Sequence, residues 1–398
     1  MPLGVYISIP FCRSKCSYCN FASGVFSGAM FGSYVDRVCD DISRAGEIAL
    51  KMQGHLEREV ETIYLGGGTP TVLAPADLER VFMGLRANFE AYRDAEITVE
   101  CAPGTLTPAI LETLLGCGVN RVSLGVQSFV DAEAAAVGRL HTRATVLDDI
   151  ARLRRAGISN INVDLIAGLP HQDRESWRVS LENAIVCNAP HVSVYMLEVD
   201  EDSRLGRELI AGGVRYHAHF VPDEDATADL YIEACEQLES AGLKQYEISN
   251  FASPGRESRH NLKYWRREPY LGLGVDAHSM LPSDAPSSAE EAVRFSTSDS
   301  LEGFLRAEPL ARTPVSPQAA LEETFFLGLR LNRGLQIQEL RNEFGEEALA
   351  PFLEKTTELV AAGLLVSDRE SLRLTARGRL LSNEVFAEFL EVKITPVG

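Results

Sequence analysis

The stretch Val5-Tyr6-Ile7-Ser8-Ile9-Pro10-Phe11-Cys12-Arg13-Ser14-Lys15-Cys16-Ser17-Tyr18-Cys19 decides how the rest of the chain is read. Residues 5–9 form a short apolar strand, so the C-x₃-C-x₂-C run occupies the first strand-to-helix loop. Three thiolates close together can hold three irons of a [4Fe–4S] cluster and leave the fourth iron open to a small molecule. A structural zinc site usually needs four ligands, and no His or fourth Cys lies in this loop. The loop is polar, through Arg13, Ser14, Lys15 and Ser17, which argues against chance clustering of core cysteines. Cys39, Cys101, Cys117, Cys187 and Cys235 are scattered singly and read as small buried hydrophobes.

Outward from this loop, residues 1 to about 200 alternate between strand-like and helix-like segments. Strands are expected over 5–9, 62–65, 97–100, 121–126, 161–166 and 191–196, each short and rich in Val, Ile, Leu or Tyr. Helical periodicity fills 34–52, 76–88, 108–117, 144–156 and 174–186. Repeated βα units imply parallel strands with right-handed crossovers. Six of them predict an incomplete (β/α)₆ barrel, in which functional groups gather at the C-terminal strand ends. Those ends are distinctive: the cysteine loop, then Gly66-Gly67-Gly68-Thr69-Pro70-Thr71, then Glu100, then Gln127, with Asp164 inside the fifth strand.

Each of these groups has its own chemistry. The three glycines let backbone approach a ligand with no Cβ between, although the run lacks the spacing of a P-loop. Glu100 can accept hydrogen bonds from an ammonium or a ribose. The Gln127 amide can both donate and accept. Arg139 can pair bidentately with a carboxylate. Asp164 stands in the apolar run Val163-Asp164-Leu165-Ile166, where a carboxylate needs a partner.

Beyond residue 200 the pattern is less regular. A helix is expected over 223–242 and an extended segment over 245–251; His260-Asn261-Leu262-Lys263-Tyr264-Trp265 follows, and 282–300 reads as a polar surface loop. Short helices over 325–331, 337–344 and 350–362, a small β wing from 363–366 and 372–374, and a helix through 386–390 resemble a winged-helix-like C-terminal domain. The division expected is a barrel over 1–255, a connecting segment over 256–315, and a mainly helical domain over 316–398.

Composition narrows the function classes. The chain is 45% hydrophobic and 24% charged, ordinary for a globular protein. Its formal charge of −19 argues against broad binding to a phosphate backbone, so no nucleic-acid partner is expected. No apolar run is long enough to span a membrane and no signal peptide is visible. Peripheral membrane contact stays open, with no basic amphipathic helix to mark it. Free thiols as ligands fit a reducing cytoplasm.

The cysteine loop resembles that of the radical S-adenosylmethionine (SAM) superfamily, where SAM chelates the open iron and the reduced cluster cleaves it to a radical. The glycine-rich run, Gly125-Val126-Gln127-Ser128-Phe129 and Asp164-Leu165-Ile166-Ala167-Gly168-Leu169-Pro170 narrow the match. Together, and in this order, they resemble the oxygen-independent coproporphyrinogen III oxidase (HemN-like) group over nearly the whole chain. The resemblance assigns Cys12, Cys16 and Cys19 to the cluster. It assigns Tyr6, Tyr18, Gly67, Gly68, Thr69, Glu100, Gln127, Arg139 and Asp164 to the SAM site. Two features separate subgroups. Oxidases resemble C-x₃-C-x₂-C-x-C, whereas Phe21 stands at the last position here. The H-N-x-x-Y-W motif of His260, Tyr264 and Trp265 is similar to that of the HemW branch, which resembles haem chaperones. That branch implies haem near His260; His217, His219 and His278 are secondary ligand candidates, each weaker than His260. It also implies delivery of haem to recipient haem proteins rather than coproporphyrinogen dehydrogenation or radical chemistry on another substrate. Two departures stand out: Ser8 replaces a His common in relatives, and Val275-Asp276 replaces Ala-Gly in a G-A-G-A-H-S pattern.

Overall fold

The computed structural model describes residues 1–285, 289–368 and 370–390. Its parallel strands are β1 (Leu3–Ile9), β2 (Glu59–Gly67), β3 (Glu90–Cys101), β4 (Arg121–Gln127), β5 (Asn160–Ala167) and β6 (His191–Met196), side by side in chain order. Helices Pro75–Asn88, Pro108–Gly116, Arg143–Arg155 and Arg174–Val186 make crossovers close to the expected spans. The helix expected over 34–52 is two, Ala29–Ser43 and Ala45–Lys51, because Arg44 between them leaves helical geometry (φ −102°, ψ 11°).

The sheet does not close. The second half adds β7 (Lys244–Glu247), β8 (Asn250–Ala252), β9 (Tyr270–Leu273), β10 (His278–Pro282), β11 (Ala292–Ser296) and β12 (Ala311–Val315). The twelve strands run in the order β12-β11-β10-β9-β1-β2-β3-β4-β5-β6-β8-β7. β9 pairs parallel with β1 and β8 pairs antiparallel with β6, so the barrel is partial and continues as sheet on both sides. Residues 256–315, expected to be a connector, therefore supply four of the strands. β11 lies inside the expected 282–300 loop. Val293 and Phe295 bury on the core while Arg294 and Ser296 do not fully bury, an alternation too short to stand out among polar neighbours.

Two of the apolar cores among the described residues are large. The larger lies between the parallel sheet and its helices, with Val5, Ile7, Leu65, Val99, Leu124 and Val163 fully covered. The second belongs to the C-terminal region, where Phe325 stacks on Phe352 and Phe389 at 4.9 Å and 4.8 Å. That region contains helices Pro317–Gly328, Ile337–Phe344, Glu346–Ala361 and Ser382–Leu390 with a small sheet of β13 (Leu335–Gln336), β14 (Leu365–Ser367) and β15 (Ser371–Leu374) in the order β13-β15-β14. Its first helix starts earlier than expected, because Ser316 caps it by accepting from Ala319 N at 3.2 Å and Pro317 suits the first turn. Ile248, from the β7–β8 turn, joins this second core.

Candidate functional site

The cysteine loop is stitched to its surroundings by backbone. Cys12 N donates to Gly24 O at 2.8 Å, Gly24 N to Pro10 O at 2.8 Å, and Ser17 N to Val137 O at 3.1 Å. The glycine-rich run lies directly against it. Gly68 N donates to Ile9 O and Thr69 N to Phe11 O, both at 2.8 Å. A Cβ on Gly68 would meet Phe11 O at 2.7 Å and Ile9 O at 2.8 Å, so only glycine allows this approach. Gly67 has φ +99°, a left-handed backbone that favours glycine.

Thiols and glycines open into one cavity of about 610 Å³ at the C-terminal ends of the strands. That volume falls within the range of small-molecule sites. Of the expected residues, Cys12, Cys16, Cys19, Tyr18, Gly67, Gly68, Thr69, Glu100, Gln127, Arg139 and Asp164 all line it. Tyr6 does not. It stands behind Gly67, with its ring 6.0 Å from that of Tyr64.

Electrostatics vary sharply across the cavity. Around the thiols the groups are donors. Arg139 Nη1 lies 3.6 Å from Cys16 Sγ, the Thr69 hydroxyl 4.0 Å from Cys12 Sγ, and the Ser23 hydroxyl 3.8 Å from Cys19 Sγ. Burial pushes the Cys12 thiol up, and hydrogen bonds from Ser23 and Thr69 partly offset that. Arg139 also donates to Gly125 O. Gln127, with φ +69°, ends β4 in a bulge that turns its amide beside Arg139. Deeper in, the groups are acids. The Tyr64 hydroxyl donates to Glu100 Oε1 at 2.8 Å and Gly67 N to Oε2 at 3.2 Å. Burial nonetheless pushes the Glu100 carboxyl up to about 7. Asp164 accepts from Ser123 Oγ at 3.0 Å and Asn162 Nδ2 at 2.7 Å, the partners its position demands, yet burial also raises its pKa. Burial holds His141 neutral, at about 4, while its Nε2 bonds Val126 O at 3.1 Å.

This wall suits the group that the cysteine spacing implies. All eight cysteines are free thiols. Among the described residues no three His, Cys, Asp or Glu side chains converge on a point, as the ligands of a single ion must. The three thiols instead share one wall with hydrogen-bond donors around them, an arrangement that fits a cluster with one cysteine per iron.

The H-N-x-x-Y-W motif lies elsewhere. It forms helix Arg259–Trp265, which closes the barrel floor. His260 is 1% exposed; its Nδ1 bonds Thr62 Oγ1 at 2.8 Å and its Nε2 bonds Tyr264 OH at 2.9 Å. Burial lowers its pKa to about 3. Trp265 is covered by the Arg330 guanidinium, 4.3 Å from its ring. Both imidazole nitrogens of His260 are thus bonded within the fold, and Arg330 covers one face of the half-buried Trp265. Asn261, from the same helix, does reach the cavity floor. Among the secondary candidates, His278 sits at the surface 3.6 Å from Asp276, and neither lines the cavity. Ser8 is buried, with its hydroxyl against Gly67.

Several lining residues escape the sequence reading: Tyr64, Arg121, Ser123, Asn162, His191 and Ser193. Each occupies an inward strand position. A polar residue at every second place is the signal, since buried parallel strands otherwise read as apolar runs.

The model of the radical SAM superfamily matches residues 6–184, and that of the HemN C-terminal domain matches residues 315–381. "Heme chaperone HemW" of Lactococcus lactis is 33% identical over 98% of this chain and 97% of its own length. The Escherichia coli protein of the same name is 32% identical over 98% of both. This chain belongs to the HemW family. A bovine relative of this HemW family member, "Radical S-adenosyl methionine domain-containing protein 1, mitochondrial", is 30% identical over 97% of the chain and 87% of its own length. The solved structure of Escherichia coli coproporphyrinogen III oxidase (HemN), described as a radical SAM enzyme, superposes with a TM-score of 0.82 at 24% identity. It covers 98% of the chain and 90% of that structure, and shares its fold.

Proposed function

We propose that this HemW family member is a haem chaperone. It holds a [4Fe–4S] cluster through Cys12, Cys16 and Cys19, takes SAM beside the cluster, and delivers haem to recipient haem proteins without net porphyrin chemistry. The observation that carries this reading is the kinship along nearly the full length with proteins named heme chaperones. The cavity supports the cofactor part. The cluster, when bound, supplies one-electron chemistry to SAM. The chain's own residues do the rest. Arg139 offers a guanidinium to a carboxylate, Glu100 and Asp164 offer carboxylates to an ammonium or ribose, and Gly67 and Gly68 let that ligand lie against backbone. Phe21, where the oxidase pattern has a cysteine, supports a chaperone over coproporphyrinogen dehydrogenation. The cytoplasm is the compartment this reading favours, and no described helix is long and apolar enough to cross a membrane.

The test is an anaerobic pair of assays on cluster-reconstituted protein. Saturable haem binding, with haem passed on to an apo-haem protein, is the expected outcome. Stoichiometric protoporphyrinogen from coproporphyrinogen, SAM and reductant would instead make the protein the oxidase.

A further inference from the structure

Outside the cavity, the loop after β5 meets the segment after β6, and two histidines face each other there. His171 Nε2 and His217 Nδ1 are hydrogen bonded at 3.0 Å, with ring centroids 4.9 Å apart. Phe220 stacks on His171 at 4.2 Å. Backbone fixes the group: His171 N donates to Phe220 O and Phe220 N to His217 O, both at 2.9 Å. Both histidines hold left-handed backbone, φ +68° and +62°. Such conformations cost on the order of 1 kcal/mol and persist only where surroundings impose them, often at functional sites. Neither ring is buried: His171 is exposed and His217 half-buried.

The hydrogen bond leaves one nitrogen of each ring without a partner among the described residues. With His217 Nδ1–H donating to His171 Nε2, the Nε2 of His217 presents its lone pair outward. An imidazole ligand is typically held this way, its other nitrogen fixed by a neighbour. The same segment exposes Leu209 by 48%, Ile210 by 67%, Val214 by 85% and Phe220 by 57%. Four large apolar side chains are thus exposed on one short stretch of chain, a concentration that suits a binding surface. Arg215 is exposed among them, its guanidinium 5.3 Å from the Tyr216 ring. The carboxylate of Glu208 is turned inward to accept from Tyr216 N and Ala218 N, so it does not oppose an anion.

We propose that this surface is the seat of the haem cargo. His217 is the axial iron ligand, His171 its positioning residue, Phe220 and the apolar side chains the bed for the porphyrin, and Arg215 the partner of a propionate. This rests on the haem-chaperone reading and adds the place. A bare divalent ion would need further ligands, and no third His, Cys, Asp or Glu converges with this pair among the described residues. An iron porphyrin needs one imidazole and an apolar face. The segment also holds the cysteine loop, through Leu205 N to Ser17 O at 2.9 Å and Arg204 Nη1 to Lys15 O at 3.2 Å. Cargo and cluster thus share one structural support.

The experiment is a haem titration of the full-length, cluster-loaded protein, followed in the Soret band and by resonance Raman. It compares wild type with His217→Asn, His171→Ala and His171→Gln. Asn tolerates the left-handed backbone, so His217→Asn removes the ligand without refolding the loop. Expected is about a tenfold or greater loss of affinity in His217→Asn, with disappearance of the iron–histidine signature. His171→Ala weakens the iron–histidine stretch while keeping ligation, and His171→Gln restores it through the amide oxygen. Unchanged affinity and spectra in His217→Asn overturn this placement and leave the chaperone reading intact. No saturable binding by wild type removes both. Zinc(II) bound by wild type and lost in His217→Asn, with haem binding unaltered, makes the pair a metal site instead.

Discussion

At the scale of single residues, the informative groups are those whose ionisation the fold opposes. Glu100 ordinarily titrates near 4.5 and is pushed up to about 7 by burial. In that interval the folded state binds more protons than the unfolded one. Stability therefore falls as pH rises from about 4.5 to 7, by on the order of 3 kcal/mol for this group. Glu100→Gln should flatten that limb in chemical denaturation followed against pH. A ligand ammonium beside Glu100 draws the carboxyl back toward ionisation, so SAM should bind with proton release near pH 6. Calorimetry in buffers of different ionisation enthalpy should detect that release in wild type and lose it in Glu100→Gln. His260 is the converse case, a neutral ring bonded to two buried hydroxyls. His260→Ala leaves both hydroxyls without that partner and should cost about 2–3 kcal/mol in urea denaturation, with haem affinity unchanged. A fall in haem affinity without a loss of stability would return haem to the barrel floor.

At the scale of elements, the glycine run and the cysteine loop behave as one unit, because each supplies backbone partners to the other. Gly68→Ala presses a methyl onto Phe11 O and Ile9 O and should displace the loop. Iron and sulfide per chain after reconstitution should drop several-fold, whereas Gly116→Ala, with open space around it, should load normally. How much of this was legible in the sequence follows from the same elements. The parallel strands were, because short β-branched runs between helical periods mark them. The strand ends were, because Gly66–Thr69, Glu100 and Gln127 interrupt those runs. The deeper lining was harder to find. Arg121 and Ser123, or Asn162 two places before the Asp164 already noted, reveal themselves only through a period of two inside buried strands. The setting of His260 was hidden for a related reason: a motif names its residues but not the direction of their side chains, and only the tertiary contacts with Thr62 and Tyr264 show that the ring faces inward. Likewise β9 to β12 were obscured, because each is only four or five residues long, too short for an alternation to stand out.

At the scale of the whole molecule, the C-terminal region is held to the sheet by both backbone and charge. Asn332 N donates to Tyr246 O at 2.9 Å and its side chain to Gln245 O at 2.8 Å. Arg267 pairs with Glu323 at 3.0 Å and with Glu291 at 3.1 Å, nearly buried between them. Arg294 pairs with Glu323 as well, at 2.6 Å, so Arg267→Ala removes one of that carboxylate's two cations and should cost about 2 kcal/mol. Scanning calorimetry should then show the C-terminal region melting ahead of the barrel; a single unshifted transition would contradict that role. The open sheet has a further consequence, in time rather than space. The first strand made, β1, acquires its second neighbour only when Tyr270–Leu273 is in place. At ~5–20 residues per second, the ribosome needs on the order of ten to fifty seconds to cover that interval, and β1 keeps an unpaired edge throughout. The cysteines hang from that strand, so the nascent chain must reach its last third before the strand that carries them is paired on both edges. Rigid placement of the three thiols is thereby a late event of synthesis.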